Sequence, residues 1–179
     1  EDLIVSVSLS ATDVNGDNLS FLVDEDTIDN GSINTTTSQT FLFTPDSNWN
    51  GVEEISYQVS DGDLTADGLI TITVNPVNDA PTTSFISLST NEETAVDITL
   101  IGEDIDADNL TYSIETDVNN GITSLDGEIV TYTPNLDFVG IDTFTFKAND
   151  GESDSNISTV TITVNEAGDE FVKYFELSS

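Results

Sequence analysis

The chain has no cysteine, no histidine, only two lysines or arginines and a single tryptophan in 179 residues. Each shortage removes a class of chemistry. Without cysteine there is no disulfide framework, thiolate metal site or sulfur nucleophile, although the lack of disulfides does not by itself indicate a reducing compartment. Without histidine the usual general base is missing, and no glycine-rich loop leading into a helix marks a phosphate site. Two cations cannot neutralise a phosphate backbone, which argues against nucleic acid as a partner. No apolar run approaches the roughly 18 residues of a membrane-spanning helix. The opening EDLIVSVSLS lacks the basic region and initiating Met of a signal peptide, so the sequence reads as a processed or excised soluble chain.

What the chain has in excess is acid. Thirty-five Asp and Glu leave a formal net charge of -33, which raises the free energy of any compact state unless cations neutralise it. Metal cations are the natural partners. Such a charge often accompanies disorder, but the apolar residues here fall in alternating runs such as LITITV and TFTFKA, the period of half-buried strands.

Self-similarity sets the domain organisation. DVNGDNLSF (Asp13 to Phe21) matches DIDADNLTY (Asp104 to Tyr112) at an offset of 91. FLFTPDSNWNGVEEISYQVSDGD matches VTYTPNLDFVGIDTFTFKANDGE at 89, and ITITVN ending at Asn75 matches VTITVN ending at Asn165 at 90. A period near 90 built of short alternating strands and Asn, Asp and Gly turns predicts an all-β chain of two tandem β-sandwiches. The predicted division is a first repeat over 1–75, a linker over 76–81, a second repeat over 82–165, and a linker and further strand over 166–179. The second repeat opens with TTSFISLSTN (Thr82 to Asn91), a strand that the first repeat lacks because Glu1 aligns with Glu92. In the tail, YFELSS lies on FISLST, with Leu177 at the place of Leu88. Three explanations stay open: a window cut from a longer tandem protein, donation of the last strand to the truncated first repeat of the next chain, or a disordered tail.

The linker NPVNDAP (Asn75 to Pro81) holds an amide and a carboxylate between prolines. Ala95 to Gly102, read as one strand of about 26 Å, separates Glu92 and Glu93 from Asp104, Asp106 and Asp108, so the two groups serve opposite poles of one sandwich. The turn at Asp150 and Gly151 belongs with Asp104 at the pole beside the linker. The same logic places Glu1 and Asp2 of the first repeat facing Asn78 and Asp79. Six acids and an amide are thus expected to converge: Glu1, Asp2, Asn78, Asp79, Asp104, Asp106 and Asp150. Oxygen donors without His or Cys select Ca2+ over zinc or copper, and the prolines lower the ordering cost of a rigid linkage. The corresponding positions are Asp13, Asn15 and Asp61 in the first repeat, and Glu92, Glu93 and Asp169 at the second joint.

The VNDAP linker, the Asp-x-Asp of Asp104 and Asp106, the acidic pair Glu92 and Glu93, and AND ending at Asp150 resemble the calcium motifs of bacterial cadherin-like repeats, and together they cover nearly the whole chain. The resemblance implies Greek-key sandwiches of cadherin/Ig-like type with Ca2+ at the linkers, rigid when loaded and flexible when empty. Two departures weaken parts of it. Asn15 replaces the acid found at Asp106, and the second linker NEAGDE keeps Asp169 but loses both prolines. The acidic motif that animal cadherins carry before their penultimate strands has no clear match beyond Glu53, Glu54 and Asp142.

Several signals have plainer readings. DIDADNLTYSIE imitates a calcium-hand loop, but its sixth residue is Asn109 instead of Gly and LTYSI alternates as a strand. Trp49 could stack on sugars, yet its counterpart is Phe138 beside the matching Gly51 and Gly140, which favours a corner anchor. Tyr57, Tyr112 and Tyr132 read as packing residues, and Lys147 as no cross-link, since the first repeat has Gln58 there. Sequons at Asn18, Asn30, Asn34, Asn109 and Asn156 suit a glycosylated fibre or arise by chance in so Asn-rich a chain. A carboxylate pair could cleave glycosides, but the acids already have a ligand role, so no enzyme is expected. The sequence therefore predicts an extracellular adhesive or filament module whose partners are neighbouring copies, a cell-surface protein or a glycan. The rival is a carbohydrate-binding segment of a secreted polysaccharide-degrading enzyme.

Overall fold

Alternation becomes strands throughout the computed structural model, which describes Glu1 and residues 3–168. In chain order they are β1 (Val5–Ser8), β2 (Ser20–Val23), β3 (Gly31–Thr37), β4 (Thr40–Pro45), β5 (Gly51–Ser60) and β6 (Thr65–Val74). There follow β7 (Thr82–Thr83), β8 (Ile86–Asn91), β9 (Val96–Thr99), β10 (Gly102–Glu103), β11 (Thr111–Thr116), β12 (Gly121–Asp126), β13 (Ile129–Pro134), β14 (Gly140–Asn149) and β15 (Ser158–Asn165). A 3-10 turn at Glu25–Thr27 is capped by the Asp24 side chain, which accepts from the Asp26 N–H. The chain divides into two units, Glu1–Val77 and Asn78–Ser179.

Each unit is a two-sheet sandwich. In the first, β1-β4-β3 faces β2-β5-β6; in the second, β9-β13-β12 faces β11-β14-β15-β8. The correspondence is strand for strand, and β8 alone among these sheet members has no partner in the first unit. The inward residues of each strand make the cores. Phe41, Phe43 and Ile55 anchor the first unit, and Val130, Tyr132, Phe144, Phe146, Val160 and Ile162 the second. Trp49 packs against the first core and Phe138 against the second. Gly51 shows why this corner recurs: its φ is +149°, and a Cβ there would stand 2.9 Å from the Trp49 ring.

The expected eight-residue strand from Ala95 to Gly102 is broken. β9 pairs with β13, Leu100 turns inward with its N–H bonded to Glu128 O at 2.8 Å, and β10 then pairs with β7. The break follows from the opening segment, which is itself split: β7 lies against β10, while β8 crosses to run parallel to β15. Gly102 permits the switch, since a Cβ there would sit 2.9 Å from Leu110 Cδ1. Thr83 locks the crossing. Its hydroxyl donates to Asn156 O at 2.8 Å and is paired with the Ser158 hydroxyl at 2.9 Å in a buried network.

Glu53 and Asp142 are both buried at corresponding positions of β5 and β14. Burial of a carboxylate is tolerable only when donors surround it. Asp142 accepts from the Asn119 N–H, the Asn120 N–H and the Tyr132 hydroxyl. Glu53 accepts from the Asp29 N–H and the Asn30 amide. Burial and the adjacent Asp142 charge together push the Tyr132 hydroxyl well above the usual tyrosine range. These acids staple a loop inside their own sandwich; Glu54 is exposed.

Asp142→Ala orphans three donors at once, so it should destabilise the second unit by about 2–4 kcal/mol. Urea unfolding followed by far-UV circular dichroism should show the shift. Trp49 fluorescence, which reports the first unit, should keep its midpoint.

Candidate metal centre

The leading pole of the second unit is built from three turns of acidic residues. Asp104 follows β10, and its Oδ1 accepts from the Asp106 and Asp108 N–H groups at 3.0 and 3.1 Å. This side-chain turn holds Ala107 at a φ of +62°. The carboxylates of Asp104, Asp106 and Asp108 thereby come together, with one oxygen of each within 4.8 Å of the others. In the β14–β15 connection, Asp150 Oδ1 accepts from the Glu152 and Ser153 N–H groups at 2.7 and 2.6 Å. The third contributor is the linker. Asp106 Oδ2 accepts from the Asp79 N–H at 2.8 Å, and the Asn78 amide donates to Asp150 Oδ2 at 2.9 Å. These two bonds fold Asn78 and Asp79 onto the second unit.

Two oxygens in this cluster are shielded from solvent and have no hydrogen-bond partner: Asp79 Oδ2 and Asp104 Oδ2. A buried anionic oxygen without a donor is costly. An all-oxygen donor set that leaves such atoms orphaned fits a hard divalent cation of the Ca2+ type. Asp150 is held well below the ordinary carboxylate range, first by the Ser153 backbone N–H, then by the Asn78 amide and the Glu152 N–H. It is ionised at neutral pH and available as an anion.

The first unit repeats two of the turns. Asp13 Oδ1 accepts from the Asn15 and Asp17 N–H groups at 2.7 and 3.1 Å, with Gly16 where the second unit has Ala107. Asp61 Oδ1 accepts from the Asp63 and Leu64 N–H groups, which lowers its pKa, the Leu64 bond contributing most. Asn15 offers no carboxylate at the place of Asp106.

At the trailing poles the repeats again correspond. The Glu92 N–H donates to Asn165 O at 2.8 Å, and the Glu1 ammonium donates to Asn75 O at 2.8 Å. Glu92 Oε1 accepts from the Ala167 N–H, and Glu93 sits in the adjoining turn with a φ of +58°. Asp2 and Asp169 lie outside the described residues, as does Leu177. The sequence reading omitted Asp108 from the ligand set. Its signal was the unbroken Asp-x-Asp-x-Asp spacing of residues 104–108.

Residues 3–75 match the sequence model of a cadherin-like domain, and residues 78–163 match that of a bacterial Ig domain. Each unit thus matches one repeat model, cadherin-like in the first and bacterial Ig-like in the second. Among solved structures, human protocadherin-24 EC1-2 overlays with a TM-score of 0.59 at 17% identity, over 90% of this chain and 88% of that one. Human mucin-like protocadherin EC1-2 gives 0.55 at 20% identity, over 93% and 100%. At these identities the overlays establish the fold. An endo-fucoidan hydrolase of glycoside hydrolase family 107 aligns at 21% identity with a TM-score of 0.43, too loose to bear on function. The overlay takes in 93% of this chain and 26% of that enzyme. No curated protein sequence matches the chain significantly. Among the described residues of these repeats, no helix is long and apolar enough to cross a membrane.

The lowered pKa of Asp150 stabilises the second unit above the unfolded-state value of 3.8, and that contribution is lost as pH falls through the lower folded-state value. Carboxyl-carbon NMR titration should place both Asp61 and Asp150 below the ordinary aspartate value of 3.8. Asn78→Ala should raise the Asp150 midpoint only part of the way, because the Ser153 N–H remains. It should leave Asp61 unmoved.

Proposed function

We propose that the chain is an extracellular, non-catalytic structural module whose repeats are stiffened by Ca2+ at the linker. It would serve as a segment of a surface adhesin or of a head-to-tail filament. The observation that carries this reading is the pair of shielded, unpartnered oxygens on Asp79 and Asp104, beside the carboxylates of Asp106 and Asp108. In this reading Asp79, Asp104, Asp106, Asp108 and Asp150 hold the ion, with Asn78 at the rim. Glu1 and Asp2 are the proposed ligands from the preceding repeat, for which the anchoring of the Glu1 ammonium at Asn75 O gives support. Only Pro76 and Val77 separate Asn75 from Asn78. When bound, Ca2+ supplies positive charge that relieves carboxylate repulsion and turns a hinge into a joint. Asp13, Asn15 and Asp61 are proposed as the corresponding site of the first repeat. Glu92, Glu93 and Asp169 are proposed for the joint that follows the second, with looser linkage where the prolines are missing.

Neighbouring copies of the repeat are the proposed partners, with a cell-surface protein or glycan as the adhesion target. The carbohydrate-binding rival needs an exposed aromatic platform. Trp49, Tyr57 and Tyr112 instead pack against the cores, and Tyr132 is fully buried.

Extracellular modules bind Ca2+ with Kd on the order of 10⁻⁴ to 10⁻³ M, and calorimetry should find that range here. Asp104→Asn keeps the oxygen that shapes the turn and removes the charge, so it should weaken binding roughly tenfold, worth about 1.4 kcal/mol. Chelation should also speed proteolysis within residues 75–81 and change the small-angle scattering profile. Identical scattering and cleavage with and without Ca2+ would refute the stiffened joint.

A further inference from the structure

Lys147 is the sole lysine or arginine among the described residues, and it stands near the end of β14, whose last residue Asn149 precedes Asp150. Two carboxylates hold it. A register shift between Ile114 and Thr116 makes Glu115 the extra residue of β11 against β14. Such a bulge re-aims its side chain, and Glu115 Oε1 lies 3.3 Å from Lys147 Nζ. In the β14–β15 connection, Asp154 accepts from Lys147 Nζ through Oδ2 at 2.9 Å and from the Asn149 amide through Oδ1 at 2.8 Å. Asn149 Oδ1 in turn accepts from the Gly151 N–H at 2.8 Å. A series of side-chain bonds thus runs from Lys147 through Asp154 and Asn149 to Gly151, the residue after Asp150, where φ is +109° and glycine is needed. The base of the connection is closed by Ser155, whose Oγ accepts from the Ala148 N–H and whose N–H donates to Ala148 O, both at 2.9 Å.

The first unit makes its Asp61 turn without a cation. There the β5–β6 connection is residues 61–64, whereas the β14–β15 connection is residues 150–157. Ser60 takes the place of Asn149: its Oγ accepts from the Gly62 N–H and donates to Leu64 O, each at 3.1 Å. Gln58, at the place of Lys147, turns instead to Asp67 of β6 at 3.0 Å. The short connection is fixed by bonds to its own neighbours, and the long one is tied to the sheet by Lys147. A longer segment has more freedom to lose on ordering, so the additional tie falls where that cost is larger.

We propose that Lys147 is a positioning residue for the ion site: acting through Asp154 and Asn149, it holds the β14–β15 connection so that Asp150 meets the linker with its carboxylate already placed. The proposal deepens the Ca2+ reading above and rests on it. An ammonium has no lone pair to offer a metal ion, so what Lys147 contributes passes through the groups it holds. Exposed ion pairs add little to global stability, and both Lys147 and Asp154 are partly exposed. The effect is therefore on local order. The charge of Lys147 taken alone works the other way, because a fixed positive charge near the site repels a divalent cation. Positioning and electrostatics thus give opposite signs for the loss of Lys147.

Calorimetric titration of the full chain with CaCl2 reads that sign. Lys147→Met should weaken Ca2+ binding roughly tenfold, the lower end of the range for residues that orient a metal ligand, and Lys147→Arg should bind as the parent chain does. Asn149→Ala breaks the same series without changing the charge and should weaken binding to a similar extent. Tighter or unchanged binding by Lys147→Met overturns the proposal, and so does an Asn149→Ala chain that binds like the parent. A second readout needs no calcium. In chelator, NMR amide exchange should show Gly151, Glu152 and Ser153 losing protection in Lys147→Met. The Asp106 and Asp108 amides, held by Asp104, should keep theirs, as should Phe144 and Phe146 in the core. Equal protection of residues 151–153 in the parent and Lys147→Met chains overturns the proposal. A parent chain that binds no Ca2+ overturns the stiffened joint and the ion-site role of Lys147 with it, and the exchange pattern separates that outcome from a failure of the Lys147 tie itself.

Discussion

Backbone amides hold the carboxylates that shape both sandwiches. Lys147 forms ion pairs with Glu115 and Asp154 at 3.3 and 2.9 Å. Elsewhere Asp13, Asp24, Asp61, Asp104 and Asp150 each accept from N–H groups two to four residues ahead. A carboxylate used in this way fixes a tight turn and keeps its charge. At Asp104 the two functions divide between the oxygens: Oδ1 shapes the turn and Oδ2 has no partner. Folding the chain therefore already creates sites of concentrated negative charge, in positions set by turn geometry.

That same local character explains what could be read from the sequence. A side-chain turn needs an acid and a few following residues, so it survives as a short motif and recurs at the period of the fold. Asp13 and Asp104 were visible for this reason, as were Asp61 and Asp150. The alignment of Glu1 with Glu92 was legible too, and both backbone nitrogens donate to the equivalent asparagine at a strand's end, Asn75 or Asn165. Glu53 and Asp142 were not understood, although alternation puts Glu53 on the face of Ile55 and Asp142 on that of Phe144. Their loop donors lie 22 to 24 residues away in sequence, and Tyr132 lies ten from Asp142. No local pattern announces a staple of that range.

The split of the opening segment was hidden for a related reason. ITLIG reads as a continuation of β9, since Ile98 and Leu100 both face inward. The interruption arises where the chain changes partner, from β13 at β9 to β7 at β10, and β7 is fixed by the buried hydroxyl network of Thr83, Asn156 and Ser158. Pairing partners are a property of the assembled sandwich, whereas periodicity reports only which face of a strand is covered.

The two sandwiches share a strand plan but not a degree of completion. Among the described residues, the buried core cluster of the second unit holds nine residues and that of the first holds five. The difference does not come from weaker composition, since β6 presents Ile70, Ile72 and Val74 where β15 presents Val160, Ile162 and Val164. It comes from cover. An inward side chain at a sheet edge is shielded from one side only, so part of its hydrophobic stabilisation is withheld until a neighbour arrives. Two repeats that look interchangeable in sequence thus differ, among the described residues, in cover: β8 flanks β15 in the second, and β6 ends its sheet in the first.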